Sequence, residues 1–354
     1  MGKYIQLIQE DCANVTKNST HLLDELRNEC ILVTGGTGFI GTWLAELISF
    51  LNDHYAFNTK LILLASRPNK FFSKAPHLSN RDDISFLEKD IRTIVDIPHN
   101  VTWIIHAAAN PDNRLHASDP LHTTHVIVNG TDRILEACTR LPELKKFLHV
   151  SSGLIYGAQP WDIPAIPEHF PGSLDCTSFS SAYAEAKRMS EMICTVYRNQ
   201  HRLPIVTVRP FAFIGPYQQL DRPWAVNNFI RDSLLGGTIR ILGDGETVRS
   251  YMYPSDMSWW ILNILVRGNI GRTYNIGSPF GITLKELAGK IADHYPIKPK
   301  IILNTSDKRM RRSIFVPDVT HAQKTLMLDL QVNLDEAIKR TLTWFREAQK
   351  SDSP

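Results

Sequence analysis

The stretch Ile31-Leu32-Val33-Thr34-Gly35-Gly36-Thr37-Gly38-Phe39-Ile40-Gly41 restricts what this chain can fold into more than any other. The apolar and β-branched residues ahead of the glycines suit a parallel strand covered on both faces, where no polar alternation is needed. Thr42-Trp43-Leu44-Ala45-Glu46-Leu47-Ile48 then opens as a helix. Gly36, Gly38 and Gly41 fit a G-x-G-x-x-G spacing, and Gly35 adds a second reading, G-x-x-G-x-x-G. Glycine there serves a tight turn, a close backbone approach to a pyrophosphate, and close packing of helix on strand. The helix N-terminus adds free N–H groups and the positive end of its dipole. A strand before the glycines and a helix after them separate this pattern from an ordinary glycine-rich turn.

The alternation continues downstream. Lys60–Ala65, Phe86–Ile91, Trp103–Ile105 running into His106–Ala109, and Phe147–Ser152 read as strands, with helices over 42–51 and Val126–Cys138. That order predicts an α/β protein with a doubly wound parallel sheet, the Rossmann arrangement. From about residue 210 the segments are broken by Pro and Gly, which predicts a smaller C-terminal substrate-binding domain. The expected division is an N-terminal helical extension over 1–30, a dinucleotide-binding domain over 31–210, and a mainly substrate-binding part over 211–354 with some segments returning to the sheet. Leu22, Leu23 and Leu26 give the extension a helical pattern, which predicts packing on the outside of the nucleotide domain.

The residue ending the second strand usually selects the dinucleotide: an acid suits the ribose hydroxyls of NAD, an arginine the 2′-phosphate of NADP. Here the tip reads Ser66-Arg67, so charge complementarity leans towards NADP, although an arginine stacked on adenine serves either form. The expected cofactor is therefore NAD or NADP. Asp90, followed by Ile91, is placed to meet the adenine amino group, and the small Ala107, Ala108 and Ala109 let the backbone approach the cofactor. His106 is expected to make a structural hydrogen bond.

A formal charge of +3 over 354 residues gives no reason to expect a nucleic-acid or membrane partner. Five scattered cysteines without C-x-x-C spacing suit a reducing compartment and no metal site. A cytoplasmic protein is expected, with no membrane span.

The second informative stretch is Ser181-Ala182-Tyr183-Ala184-Glu185-Ala186-Lys187. On a helix Tyr183 and Lys187 share one face. An ammonium beside a phenol favours the phenolate and draws its pKa from about 10 towards neutrality, which makes the tyrosine a usable base or acid. Ser152, ending the preceding strand, can hydrogen-bond the same substrate oxygen.

These pieces, in order, resemble the extended short-chain dehydrogenase/reductases of the nucleotide-sugar epimerase/dehydratase group. The resemblance runs over roughly residues 30–345. It rests on Thr34–Gly41, His106–Ala109, Val150-Ser151-Ser152-Gly153-Leu154-Ile155-Tyr156-Gly157, Tyr183 with Lys187, Arg209-Pro210, Ile214-Gly215-Pro216, Gly243–Tyr251, Tyr253 with Asp256, and Tyr274-Asn275-Ile276-Gly277. It implies hydride transfer at C4 of a nucleoside-diphosphate sugar, with Ser152, Tyr183 and Lys187 catalytic. It also implies a cofactor held by Gly35, Gly38, Phe39, Ile40, Gly41, Ser66, Arg67, Asp90, Ile91, Ala107, Ala108, Ala109, Tyr183 and Lys187. Substrate contacts are implied at Asn110, Ser152, Gly153, Asn228 and Arg249, and in the basic run 308–312 at Arg309 or Arg311. A homodimer through the Tyr183 helix and the 126–139 helix is implied as well.

The resemblance also carries a departure. After the serine, 4,6-dehydratases resemble one another in an Asp-Glu pair, and sugar-acid decarboxylases carry a Glu at the second position. This chain has Gly153 and Leu154, which transfer no protons. A 4-epimerase needs no such pair, and is preferred. The alternatives are an NADPH-dependent 4-ketoreductase, an atypical dehydratase using Glu168, Asp162 or Asp112, and a silent dinucleotide sensor. A further departure is Ala212, where the family often has an Asn facing the substrate phosphates.

Overall fold

The structure is a computed structural model that describes residues 2–304 and 313–351. Its centre is a parallel sheet of 7 strands: β1 (Cys30–Thr34), β2 (Lys60–Ala65), β3 (Ile84–Glu88), β4 (Trp103–His106), β5 (Lys146–Val150), β6 (Ile205–Pro210) and a last strand, Thr273–Ile276. Across the sheet the order is β3-β2-β1-β4-β5-β6, with the last strand beyond β6. The predicted doubly wound α/β fold is what the chain adopts. Every residue of β1 is buried, and successive residues feed opposite cores. Ile31 and Val33 pack into one cluster with Trp43 and Leu47, whereas Leu32 packs into the other with Ile134 and Leu135. This is why the strand needs no polar residue.

The chain winds outward from β1 in one direction and from β4 in the other, so the crevice between them is the switch point where an open α/β sheet receives ligands. Thr34 and His106 are register partners across it. Ala107 N–H donates to Thr34 O at 3.2 Å and Ala108 N–H to the Thr34 hydroxyl at 3.2 Å. His106 makes the expected structural bonds, to the hydroxyls of Thr34 (2.7 Å) and Thr131 (3.1 Å). Burial drives its pKa down to about 3, with Lys187 adding to the effect.

The N-terminal residues do more than cover the outside. Besides a 3₁₀ turn over Thr20–Leu26, they form helix α1 (Lys3–Thr16), which buries Ile5, Ile8, Cys12 and Val15. The pattern of Leu22, Leu23 and Leu26 marks the 3₁₀ turn, and α1 is a further element ahead of it. Asp11 of α1, fully buried, accepts from the Tyr253 hydroxyl at 2.7 Å and from the Arg340 guanidinium at 2.7 Å. Arg340 belongs to the C-terminal helix Leu334–Ser351, so the two ends of the chain meet on one buried carboxylate.

Candidate active site

The glycine turn closes the crevice at its floor. Gly35 has φ of +65°, and a Cβ there would stand 2.8 Å from Ala107 O. A Cβ on Gly41 would meet Gly36 O at 2.3 Å. Both glycines are therefore required by the backbone. Helix α2 (Phe39–Tyr55) starts at Phe39, with Gly38 as N-cap and no side chain capping it, three residues before the sequence pattern placed it. Its first-turn N–H groups have no side-chain cap, the condition in which a helix N-terminus suits an anion. This cradle fits the pyrophosphate of a dinucleotide. Gly35→Ala is expected to cost about 1–3 kcal/mol through strain at positive φ, read as a lower urea midpoint. An unchanged midpoint would contradict the geometry.

Ser66 and Arg67 lie exposed just past β2. Asp90 does not offer a free carboxylate: it caps the turn Ile91–Thr93 through Arg92 N–H and is paired with the Arg92 guanidinium at 2.6 Å, which holds its pKa below the usual range. Ile91 is buried beside it, and Ala107 to Ala109 are half-buried along the crevice.

Ser152 follows β5, is buried, and caps the short turn Gly153–Tyr156 by accepting from Leu154 N–H at 3.1 Å. Tyr183 and Lys187 are buried one turn apart on the helix Ala182–His201, hereafter the tyrosine helix. Lys187 Nζ donates to Val150 O at 2.7 Å, and burial draws its pKa down to about 8. The phenol moves opposite to expectation. Burial raises it to about 12, with only a Ser152 hydrogen bond pulling it back. The reason is the burial of the phenol, while the Lys187 ammonium donates to a backbone carbonyl.

The Gly153–Leu154 departure has a structural counterpart. A Cβ on Gly153 would stand 2.8 Å from the Phe211 ring, which stacks on Phe315 at 4.6 Å. An aromatic ring thus fills the space that an acid would need, and Leu154 is exposed. Among the carboxylates considered as substitutes, Asp112 is paired with Arg114 and Arg222. Glu168 accepts from Asn275 N–H at 2.9 Å, and Asp162 is exposed.

On the expected substrate side, Asn110 is exposed and its side-chain oxygen receives Asp112 N–H at 3.1 Å and Arg222 at 3.4 Å. Asn228 is half-buried on the helix Ala225–Leu234. Arg249 turns its guanidinium to Val248 O and to the backbone and hydroxyl oxygens of Ser313, so it is engaged within the protein. Arg309 and Arg311 lie outside the described residues.

A family model described as the NAD dependent epimerase/dehydratase family matches residues 31–277, more than half of the chain. The chain belongs to the NAD-dependent epimerase/dehydratase family. Membership makes it an enzyme and makes a nicotinamide dinucleotide its cofactor, in accord with the glycine cradle. UDP-glucuronic acid decarboxylase 3 of Arabidopsis thaliana is 29% identical over 316 residues, covering 88% of this chain and 87% of that protein. A trifunctional UDP-glucose 4,6-dehydratase/UDP-4-keto-6-deoxy-D-glucose 3,5-epimerase/UDP-4-keto-L-rhamnose-reductase of the same plant is 26% identical over 326 residues. That match takes in 90% of this chain but spans about half (47%) of the relative. The crystal structure of UDP-glucuronic acid 4-epimerase from Bacillus cereus in complex with NAD superposes with a TM-score of 0.76 at 22% identity, covering 92% of this chain and 99% of that one.

For a member of the NAD-dependent epimerase/dehydratase family, one neighbour of the tyrosine went unnoticed in the sequence. His116, on the short helix Asn113–Ser118, stacks on the Tyr183 ring with centroids 4.2 Å apart and planes at 14°. No sequence period marks it, because its partner is 67 positions away by number (183 − 116).

Proposed function

We propose that this enzyme modifies a nucleoside-diphosphate sugar by oxidation at C4, acting as a 4-epimerase. The reading is supported by Ser152, Tyr183 and Lys187 gathering at the end of β5 while Phe211 leaves no room for an acid at residue 153. An oxidised nicotinamide, when bound, would supply the hydride acceptor and a positive charge that favours the phenolate. Tyr183 takes the proton of the C4 hydroxyl, Ser152 orients that hydroxyl, and Lys187 keeps a cation beneath the site. With the other face of the 4-keto sugar presented, Tyr183 would return the proton as C4 is re-reduced, so that no group is lost and the mass is unchanged.

The curated relatives include decarboxylases and dehydratases by name. The Gly153–Leu154 pair and the engaged state of Asp112 and Glu168 argue against elimination chemistry. A second reading, an NADPH-dependent 4-ketoreductase, is favoured by the exposed Arg67 with no acid at the β2 tip. Incubation with UDP-, dTDP-, CDP- and GDP-sugars, followed by mass spectrometry and proton NMR, tests both. Inversion at C4 at constant mass with retained cofactor supports the epimerase, and stoichiometric cofactor release supports the reductase. Loss of water would overturn both.

The proposal includes a homodimer through the tyrosine helix and the helix Pro120–Cys138, where Met189, Met192 and Leu121 are exposed. Light scattering at the monomer mass would rule that out. No helix among the described residues is long and apolar enough to cross a membrane. The free cysteines, such as buried Cys12 and Cys138, suit a cytoplasmic setting.

A pH effect follows from Lys187. Its folded pKa of about 8 lies below the ordinary 10.5, so its ammonium serves the site below about pH 8 and is lost above it. The turnover number is expected to fall on the alkaline side of pH 8. Lys187→Arg, whose cation persists, should move that limb upward even if overall activity drops. A limb in the same place in both proteins would assign it elsewhere.

A further inference from the structure

We propose that His116 is a positioning residue for the catalytic phenol, holding the Tyr183 ring by a flat stack and linking it to the segment that carries Arg222. The assignment rests on Tyr183 being the proton-transferring group of the reading above.

The geometry is a near-parallel stack, 14° between planes and 4.2 Å between centroids, and such ring pairs contribute beyond their buried area. The imidazole is itself fixed. Its Nε2 lies 2.6 Å from Asn110 O, and a carbonyl oxygen only accepts, so this nitrogen carries the proton. The ring is buried, and burial holds its pKa below the ordinary value, which suits a neutral spacer and not a proton carrier. Asp112 caps the helix beneath it by accepting from Arg114 N–H at 3.0 Å. The same carboxylate, nearly fully buried, is paired with Arg222. Arg222 lies three residues before the helix Ala225–Leu234 that carries Asn228. The face of the Tyr183 ring is thus held by His116. A phenol that delivers a proton must keep its oxygen within hydrogen-bond reach of the sugar, and a ring free to tilt loses that reach.

The test compares His116→Ala with His116→Phe, the second of which keeps a flat ring. His116→Ala is expected to lower kcat by about 10–100-fold with KM for the sugar nucleotide within about twofold, and His116→Phe to restore most of the loss. Fluorotyrosine labelling gives a readout independent of turnover. The ¹⁹F resonance of Tyr183, assigned by its disappearance in Tyr183→Phe, should shift in His116→Ala and stay near its place in His116→Phe. An unchanged kcat in His116→Ala, equal losses in both variants, or an unmoved resonance would overturn the proposal. An unaltered protein that turns over no sugar nucleotide while showing the stacked resonance would instead overturn the C4 reading, and the positioning role with it.

Discussion

Tyr183→Phe is expected to lower kcat by about 10²–10⁴-fold, the usual contribution of a positioned proton-transfer group, while dinucleotide binding persists. The substitution removes one oxygen from a buried ring and leaves its stack on His116 intact. The glycine turn and the crevice between β1 and β4 are untouched by it. Turnover of the accepted sugar nucleotide should therefore be nearly lost, whereas quenching of protein fluorescence by the cofactor should be unchanged. Substantial turnover in the Phe variant would remove Tyr183 from the chemistry. Intact biological activity alongside intact cofactor binding would revive the sensor alternative.

The largest expected effect on stability is at the other end of the molecule. Arg340→Ala strips the buried Asp11 carboxylate of its cation, leaving only the Tyr253 hydroxyl. Removing one member of a buried ion pair costs about 3–5 kcal/mol. Burial already raises the Asp11 pKa from 3.8 to about 7, with Tyr253 and Arg340 opposing. A carboxyl whose folded pKa is raised contributes stability that is fully present below 3.8 and lost as pH rises through about 7. Without Arg340 that loss extends to higher pH, so the variant should be most impaired near pH 8 and recover partly near pH 5. Urea unfolding at the two pH values measures this. An equal loss at both would show that lost packing of the arginine stem, not an unpaired charge, is what the variant suffers.

The site was legible where chemistry is written in local spacing. The Gly35–Gly41 turn, the Tyr183–Lys187 pair and the strand ends at Ser152 and Ala107 are each fixed by short-range pattern, and they converge because parallel strands point their ends the same way. What stayed hidden are pairings between distant residues. Asp11 with Arg340, Asp112 with Arg222, and His116 with Tyr183 lie on elements whose sequences look ordinary. Arg249 shows the converse. The resemblance implies a diphosphate contact for it, yet its guanidinium donates to Val248 O and to the backbone and hydroxyl oxygens of Ser313. Helical spacing places Lys187 on the same face as Tyr183, but it shows neither the burial that raises the phenol nor the bond from the ammonium to Val150 O.

The last strand, Thr273–Ile276, sits on the open side of β6 with Thr273 beside Thr207 and Asn275 beside Arg209. A segment from beyond residue 211 is therefore part of the central parallel sheet. Anyone hoping to trade specificity between relatives by swapping everything beyond residue 210 would also replace this edge and leave β6 paired natively on its β5 side alone. Transplants that change only the stretches between β6 and Thr273, and leave both border strands native, are the ones the topology permits.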